Sequence, residues 1–500
     1  MSRRVSRLRP RSVNTKWIGL AVLALPTLLI SIDVFVLLLA LPHLSAELGA
    51  GSTEQLWIMD IYGFMLAGFL ITMGTLGDRI GRRRLLLIGA TAFGLASVLA
   101  AFSTSPAMLI AARALLGVAG ATIAPSTLAL ISNMFTDPRQ RATAISVWLV
   151  CFMSGAVVGP LVGGLLLEHF WWGAVFLLGV PVMALLLALG PALLPEYRDT
   201  AAGRLDLASV ALSLAAILPV IYGLKELAKD GLRAAPLLAI GLGLAFGLAF
   251  VRRQRLLPDP LLDLRLFASR AFTASLGAMM SGTLLMGALM MFITQYFQLV
   301  GGLSPFVAGL WMLPAVAASG VAFLLSPIVA RRVRPAYAIA GGMMVSIAGL
   351  LLISQAEGLV AVAAGFALIN LGAGPMVVLG TDLVVGSAPP SRAGSAAALN
   401  ETSGEFGFAL GIAVLGSIGT AVYRAALPAD AGEAVRESLA AAVATGLDPV
   451  RLEPGRAAFT TGMHTVAGIS AVLLLGVAVL TAVLLRQVDP LREKTPEQVA

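Results

Sequence analysis

The segment GTLGDRIGRRR, Gly74 to Arg84, places one aspartate and four arginines between two long apolar runs. Runs of about 20 apolar residues are long enough to cross the hydrocarbon layer of a bilayer. Backbone amides in lipid have no water to bond, so such runs must form helices. Across the chain 58% of residues are hydrophobic and only 12% are charged. The sequence therefore predicts an all-α integral membrane protein in which this segment is a polar loop between two spans.

Working outward from that loop, the apolar runs predict fourteen transmembrane helices in a 6+2+6 arrangement, with both termini on the cytoplasmic side. Of the 34 lysines and arginines, 26 fall on one side of this topology, and basic loops favour the cytoplasm. Seven others, including Lys225, are predicted on the outer side, and Arg113 lies inside a span. The net charge of +8 thus reflects membrane topology and not nucleic-acid binding. The spans begin near residues 17, 54, 85, 107, 142, 172, 205, 235, 271, 304, 335, 358, 396 and 461.

The chain also carries a weak internal repeat. A shift of 251 residues aligns TDPRQRA at 136–142 with SAPPSRA at 387–393. Repeated halves are typical of transporters, whose site lies between them near mid-membrane. The predicted organisation is a basic cytoplasmic tail at 1–16, a six-helix bundle at 17–195, inserted helices at 196–270, a second bundle at 271–486 with an external loop at about 425–460, and a cytoplasmic tail at 487–500.

Several classes of chemistry find no support in the sequence. Cys151 is the only cysteine, which excludes a disulfide framework and a cysteine-based metal site. No HExxH motif, Walker lysine motif or nucleophile elbow is present. We therefore expect that the protein is not an enzyme, that it has no metal site and that ATP is not its energy source.

The helix-packing motif GAVVGPLVGG, residues 155–164, predicts close contact between helices. Small residues four apart let helix backbones approach, and a proline inside a helix favours a kink. Such a helix can seal one bundle against the other. Together with the charged loop, this motif supplies the predicted gating residues: Gly74, Asp78, Arg79, Gly81, Arg82, Gly155, Gly159, Pro160, Gly163 and Gly164.

These motifs resemble those of the fourteen-helix drug:proton antiporter branch of the major facilitator superfamily, which includes quaternary-ammonium and methyl-viologen exporters. The resemblance extends to ARALLGVAGA around Arg113 and to SIDVFVLLLALP around Asp33, where Phe35 and Leu38 depart from the usual Thr and Asn. It implies a conformational latch at Asp78, whose partner lies near the start of the eleventh span, with Arg334 as a candidate.

Ionisable groups inside spans are costly, so each is a functional candidate. Asp33 and Asp60 are predicted at similar depth in the outer half of the membrane. Glu401 and Glu405, four residues apart, share one face of the thirteenth span. The alternative, that these acids only pair with structural cations or reach an interface, stays open, and it is favoured for Asp382. The predicted proton- and substrate-binding residues are Asp33, Asp60, Glu401, Glu405 and Arg113, the only cation predicted inside a span, with Asp33 as one candidate acceptor.

Two aromatic residues flank one of these acids. Trp57 and Tyr62 lie close to Asp60 in sequence and could offer ring faces to an organic cation. Anchoring at the membrane interface is the alternative.

The predicted function is export of lipophilic cationic drugs, antiseptics and dyes in exchange for protons, by a monomer in the bacterial plasma membrane. The proton gradient supplies the energy, and no cofactor is expected. Two alternatives remain at this stage: a dedicated exporter of a natural product or antibiotic, and a lipid transporter or receptor on the same scaffold.

Overall fold

The computed structural model describes residues 13–135, 137–196, 206–230, 232–257, 260–262, 264–387 and 393–487. The predicted terminal tails lie almost entirely outside these ranges. Within them the regular secondary structure is helical, which confirms the all-α fold class.

The helices form two bundles and an inserted pair. The first bundle contains α1 (Val13–Leu48), α2 (Ser52–Ile80), α3 (Arg82–Ala101), α4 (Pro106–Gly120), α5 (Ile123–Met134), α6 (Pro138–His169), α7 (Ala174–Leu177) and α8 (Gly179–Leu193). The inserted pair is α9 (Leu207–Asp230) and α10 (Ala234–Leu256). The second bundle contains a short 3-10 helix (Leu264–Ala268), α11 (Arg270–Gln295) with a π-helical end (Tyr296–Val300), α12 (Pro305–Ala330), α13 (Pro335–Ile353), α14 (Leu359–Gly386), α15 (Ala393–Ala426), α16 (Glu433–Glu437), α17 (Leu439–Ala444) and α18 (Pro449–Leu484).

Within the described residues, 13 helices are long and apolar enough to cross a membrane. α4 and α5 together form one of them, Pro106–Met134. α6 lies where the fifth span is predicted but is not among the 13, so the count of fourteen and the side of the termini stay predictions. We use "inner" for the predicted cytoplasmic side, which carries most of the basic residues, and "outer" for the opposite side.

The charged segment at 74–84 is not the loop that the sequence predicted. α2 continues to Ile80 and α3 begins at Arg82, so Gly81 alone connects them. Gly81 has a φ of +112°, which favours glycine, and the Glu196 carboxylate packs where a Cβ would lie. The backbone N–H of Arg83 donates to the same carboxylate at 3.2 Å. Charge alone does not end a helix, because a helix bonds its own backbone in water as well as in lipid.

The predicted external loop at 425–460 is also largely helical. α16 and α17 occupy its centre, and α18 begins twelve residues before the predicted span start at 461. Pro449 occupies the first turn of α18, and the Asp448 carboxylate accepts from the N–H of Val450 at 3.2 Å. A capping aspartate and a proline mark this helix start, and hydropathy does not detect either signal.

The two bundles contact each other through their outer halves. α2 packs against α15, and α6 packs against α12. A Cβ on Gly63 would lie 2.9 Å from the Cβ of Ala409, and one on Gly309 would lie 2.8 Å from the carbonyl oxygen of Pro160. The inner parts of α6 and α12 lack such close contacts, since Val150 of α6 is 63% exposed and Leu324 of α12 is 75% exposed. The structure is therefore closed on the outer side and open toward the inner side.

The inserted pair lies along one side of this contact. α9 packs against both α2 and α15, whereas α10 packs mainly against α9. Side chains of all three helices form one apolar cluster that includes Phe64, Ile221 and Ala413. α9 thus covers the seam between the bundles in their outer halves.

Candidate functional site

The glycine-rich segment of α6 contacts α1 within its own bundle and α12 in the other. Gly155 packs against Ser31, and a Cβ on Gly163 would lie 2.9 Å from the Val36 side chain. Gly164 packs against the backbone of Phe306 with no room for a Cβ. Gly159 packs against Phe35, and Pro160 packs against Gly309. Pro160 and Gly164 thus lie at the outer contact between the bundles, whereas the other three glycines pack within the first bundle, and the gating role stays a prediction.

One buried ion pair joins α1 to α4. The Arg113 guanidinium lies 2.5 Å from the Asp33 carboxylate, and the two side chains are 2% and 10% exposed. Arg113 also donates to the carbonyl of Ile58 at 3.3 Å and lies 4.5 Å from the ring centroid of Tyr62. Asp33 is thus the acceptor of Arg113, and both charges belong to a network that holds α1, α2 and α4 together.

A second buried ion pair corrects the predicted position of Lys225, which is not in an outer loop. Lys225 lies in α9, and its ammonium is 2.7 Å from the Asp60 carboxylate, with both side chains 0% exposed. The same ammonium lies 3.8 Å from the ring centroid of Trp57. Arg113 is therefore not the only cation inside a span. The Trp57 face, predicted to meet a substrate cation, meets a lysine of the chain itself.

The acids of α15 have no such partner. Glu405 lies against α2, one turn inward of Ala409, with its backbone carbonyl oxygen 3.6 Å from a Cβ placed on Gly63. Glu401, one turn further inward, is exposed, and Glu405 is partly buried. Neither carboxylate has an ion pair or hydrogen bond with another described residue. The two acids therefore lie beside the inner opening without a compensating cation among the described residues.

Tyr62 lies near both an acid that has a cationic partner and an acid that has none. Its hydroxyl is buried, has no hydrogen-bond partner among the described residues, and lies within electrostatic range of Asp33, Glu405 and Arg113. Trp57 is partly exposed and Tyr62 is 2% exposed. Tyr62 thus lies inside the first bundle, with its hydroxyl 3.1 Å from a Cβ placed on Gly120 of α4, and not at a membrane interface.

The remaining predicted residues lie near the inner ends of helices. Asp78 is paired with Arg82 at 2.7 Å, and Arg82 also donates to the carbonyl of Pro125 at 3.4 Å. Arg334 donates to the carbonyl of Arg486 at 3.0 Å. Asp382 is exposed. The latch between Asp78 and the start of α13 stays a prediction for a state closed on the inner side. The other residues of the charged segment, Gly74 and Arg79, lie in the last two turns of α2.

Lys225 is the residue that sequence reasoning missed. The run KELAKD that begins at this position looks like the polar end of a span. However, Lys225 follows Ile221 by four residues and Leu218 by seven, the spacing of one helix face. Both apolar residues belong to the cluster with α2 and α15. That spacing was the available signal that Lys225 faces the protein.

Two contacting helical bundles with ionisable residues inside their spans are typical of a membrane transporter. Residues 23–412 match the sequence model of the Major Facilitator Superfamily, and the chain belongs to this family. It is similar to the multidrug efflux pump LfrA of Mycolicibacterium smegmatis, at 43% identity over 95% of this chain and 98% of the relative. The methyl viologen resistance protein SmvA of Salmonella typhimurium is 35% identical over 86% of this chain and 88% of the relative. Among solved structures, an inward-facing bacterial homologue of the lysosomal transporter Spinster superposes with a TM-score of 0.70 at 15% identity, covering 95% of this chain and 98% of that one.

Proposed function

We propose that this protein is a multidrug efflux antiporter of the plasma membrane, which exports lipophilic organic cations in exchange for protons by alternating access. The proton gradient is the energy source, and no cofactor takes part. The similarity to LfrA and SmvA supports efflux of drugs as the activity. One observation supports exchange of cations and protons: Glu401 and Glu405 lack a described cationic partner and lie beside the inner opening.

The geometry supports Glu405 as the exchanging group. It lies beside the contact of Gly63 with α15, so motion of one bundle against the other would change its access to water. An anionic carboxylate there attracts a cation, whereas a protonated carboxylate does not. Exposed Glu401, one turn inward, adds negative charge that draws cations toward Glu405. A substrate arriving from the inner side would thus displace a proton, and a proton from the outer side would displace the substrate.

Asp33 and Asp60 have a different role in this proposal, because each already has a cation. Exchange at either acid requires that Arg113 or Lys225 first move away or that the acid take up a proton. We therefore propose Glu405 as the first site of competition, with Asp33 and Arg113 transmitting the change in charge to α1, α2 and α4.

The experiment measures proton release by the purified protein in weakly buffered detergent solution on addition of ethidium. The proposal expects release by the wild type and none by Glu405→Gln. The control is Asp382→Asn, which removes an exposed acid of α14 and should leave release unchanged.

Proteoliposomes with an imposed pH gradient give the second readout. Ethidium transport should stop when the gradient is collapsed by an ionophore. Transport that continues without the gradient would refute proton coupling. Transport of neutral compounds in preference to ethidium would favour a dedicated natural-product exporter.

A further inference from the structure

We propose that Lys225, on the inserted helix α9, is a specificity-determining residue: it neutralises Asp60 and so limits the number of positive charges that the transporter accepts in one substrate. This inference rests on the proposed function, since it concerns the cation site of that transporter. It goes further by giving the inserted pair, which connects the two bundles, a part in substrate choice.

The first argument is the composition of the group around Lys225. An aromatic face beside a carboxylate is the combination that binds organic cations. Trp57 and Asp60 form this combination, and the Lys225 ammonium occupies it at 3.8 Å from the ring centroid and 2.7 Å from the carboxylate. The chain thus fills a cation site with a cation of its own.

The second argument is burial. The side chains of Asp60 and Lys225 are both 0% exposed, and apart from their ion pair neither has a hydrogen-bond partner among the described residues. A buried charge with one partner depends on that partner. Removal of Lys225 would leave an acid that must find another cation or a proton.

The third argument is position. Lys225 belongs to the helix that packs against both α2 and α15. Asp60 lies three residues from Gly63, which packs against the backbone of Glu405. Asp60 therefore lies about one helical turn outward of the contact between α2 and Glu405, and we expect its charge to add to the field that a substrate meets there. With Lys225 present this contribution is cancelled, and the surplus negative charge is confined to Glu401 and Glu405.

The experiment compares a dication with a monocation in proteoliposomes, using methyl viologen and ethidium as probes. Specificity is a difference between two affinities, so the ratio of the two transport rates is the readout. Lys225→Met keeps a long apolar side chain but removes the charge. We expect the ratio of methyl viologen to ethidium transport to rise about threefold or more. Asp60→Asn, which leaves the lysine without its acid, should lower the ratio.

The double variant Asp60→Asn/Lys225→Met removes both charges, so it should return the ratio to that of the wild type. It also tests the idea if Lys225→Met does not fold, because Asp60→Asn alone and the double variant must then differ in ratio. Arg253→Met breaks an ion pair of the same inserted helices at their inner end and is the matched control. It should leave the ratio unchanged.

Three results would overturn the inference. An unchanged ratio in folded Lys225→Met would leave the lysine a structural role only. Equal ratios in Asp60→Asn and the double variant would also leave the lysine a structural role only. An altered ratio in Lys225→Arg, which keeps the charge, would show that the charge of this residue does not determine the ratio. If the wild type transports neither probe, the proposed function itself fails, which is distinct from transport with an unchanged ratio.

Discussion

The two bundles treat their membrane-embedded acids differently. In the first bundle each such acid faces a buried cation, Asp33 with Arg113 and Asp60 with Lys225. In the second bundle, Glu401 and Glu405 have no described cation within ion-pair distance and lie beside the inner opening. Compensated acids hold helices together, whereas uncompensated acids attract cations and protons from solution. In the proposed function, the paired acids of the first bundle are structural and the unpaired acids of the second bundle exchange cations and protons.

The largest effect should follow from removal of exchangeable charge. Glu405→Gln keeps the shape of the side chain but cannot release a proton, so we expect gradient-driven ethidium transport to fall by about tenfold or more. Glu401→Gln should weaken transport less, because Glu401 is more exposed and lies a turn away from the closed contact. Transport rates in proteoliposomes measure both effects. Equal losses in the two variants would contradict the assignment of exchange to Glu405.

The next effect concerns stability in the compensated bundle. Arg113→Met would leave Asp33 buried without its cation, and breaking a buried pair costs about 3–5 kcal/mol. Thermal unfolding in detergent should show a large loss for Arg113→Met and for Asp33→Asn. The double variant should recover much of it, because no charge is then left without a partner. A double variant less stable than either single variant would contradict compensation as the reason for the pair.

The sequence allowed prediction of the helical architecture and the acids but not of this asymmetry. Apolar runs predicted the helices because lipid offers the backbone N–H and C=O groups no hydrogen-bond partner outside the helix. Asp33, Asp60 and Glu405 were identified because each interrupts such a run. Whether an acid has a cation depends on contacts between distant helices, such as Asp60 with Lys225, which are far apart in the chain. Hydropathy could not predict that contact, and it placed Lys225 outside the membrane.

Some predicted helix boundaries are wrong for a related reason. The ends of α2 and α18 were placed where apolar residues stop, yet both helices continue through polar residues. Hydropathy indicates where the lipid region ends, whereas capping residues determine where a helix begins, as Asp448 does for α18, or ends, as Gly81 does for α2. The overlooked part of the fold thus lies mainly outside the predicted membrane core.

A smaller effect should follow from the closed contact between the bundles. Gly164 has no room for a Cβ against the Phe306 backbone, so Gly164→Ala should disfavour the inward-open state by about 1–3 kcal/mol. Spin labels on the outer ends of α6 and α12 should then report longer distances. Gly241→Ala is the control, because nothing lies within 4 Å of its Cβ position. Unchanged distances in Gly164→Ala would mean that the contact does not control opening.

The smallest effect concerns a compensated acid outside the membrane. Asp206 precedes α9, and its carboxylate lies 2.8 Å from the Arg253 guanidinium and accepts from the N–H of Ser209 at 3.1 Å. Partial burial favours a raised pKa, but the hydrogen bonds from Arg253 and Ser209 outweigh it, so the pKa of Asp206 is lowered. An acid with a lowered pKa stabilises the fold above its ordinary pKa, and the contribution is lost as pH falls through the lowered value.

Asp206→Asn should therefore cost about 1 kcal/mol or less near neutral pH, because a partly exposed ion pair contributes little. The difference in melting temperature from the wild type should shrink as the pH falls below about 4, the ordinary pKa of an aspartate, and should vanish below the lowered pKa, where the wild-type carboxylate is also neutral. High salt should reduce the difference at neutral pH, since the pair is reached by solvent ions. The buried pair of Asp60 and Lys225 should show no such salt dependence. A melting difference for Asp206→Asn as large as that for Arg113→Met would contradict the view that burial sets how much a compensated acid matters.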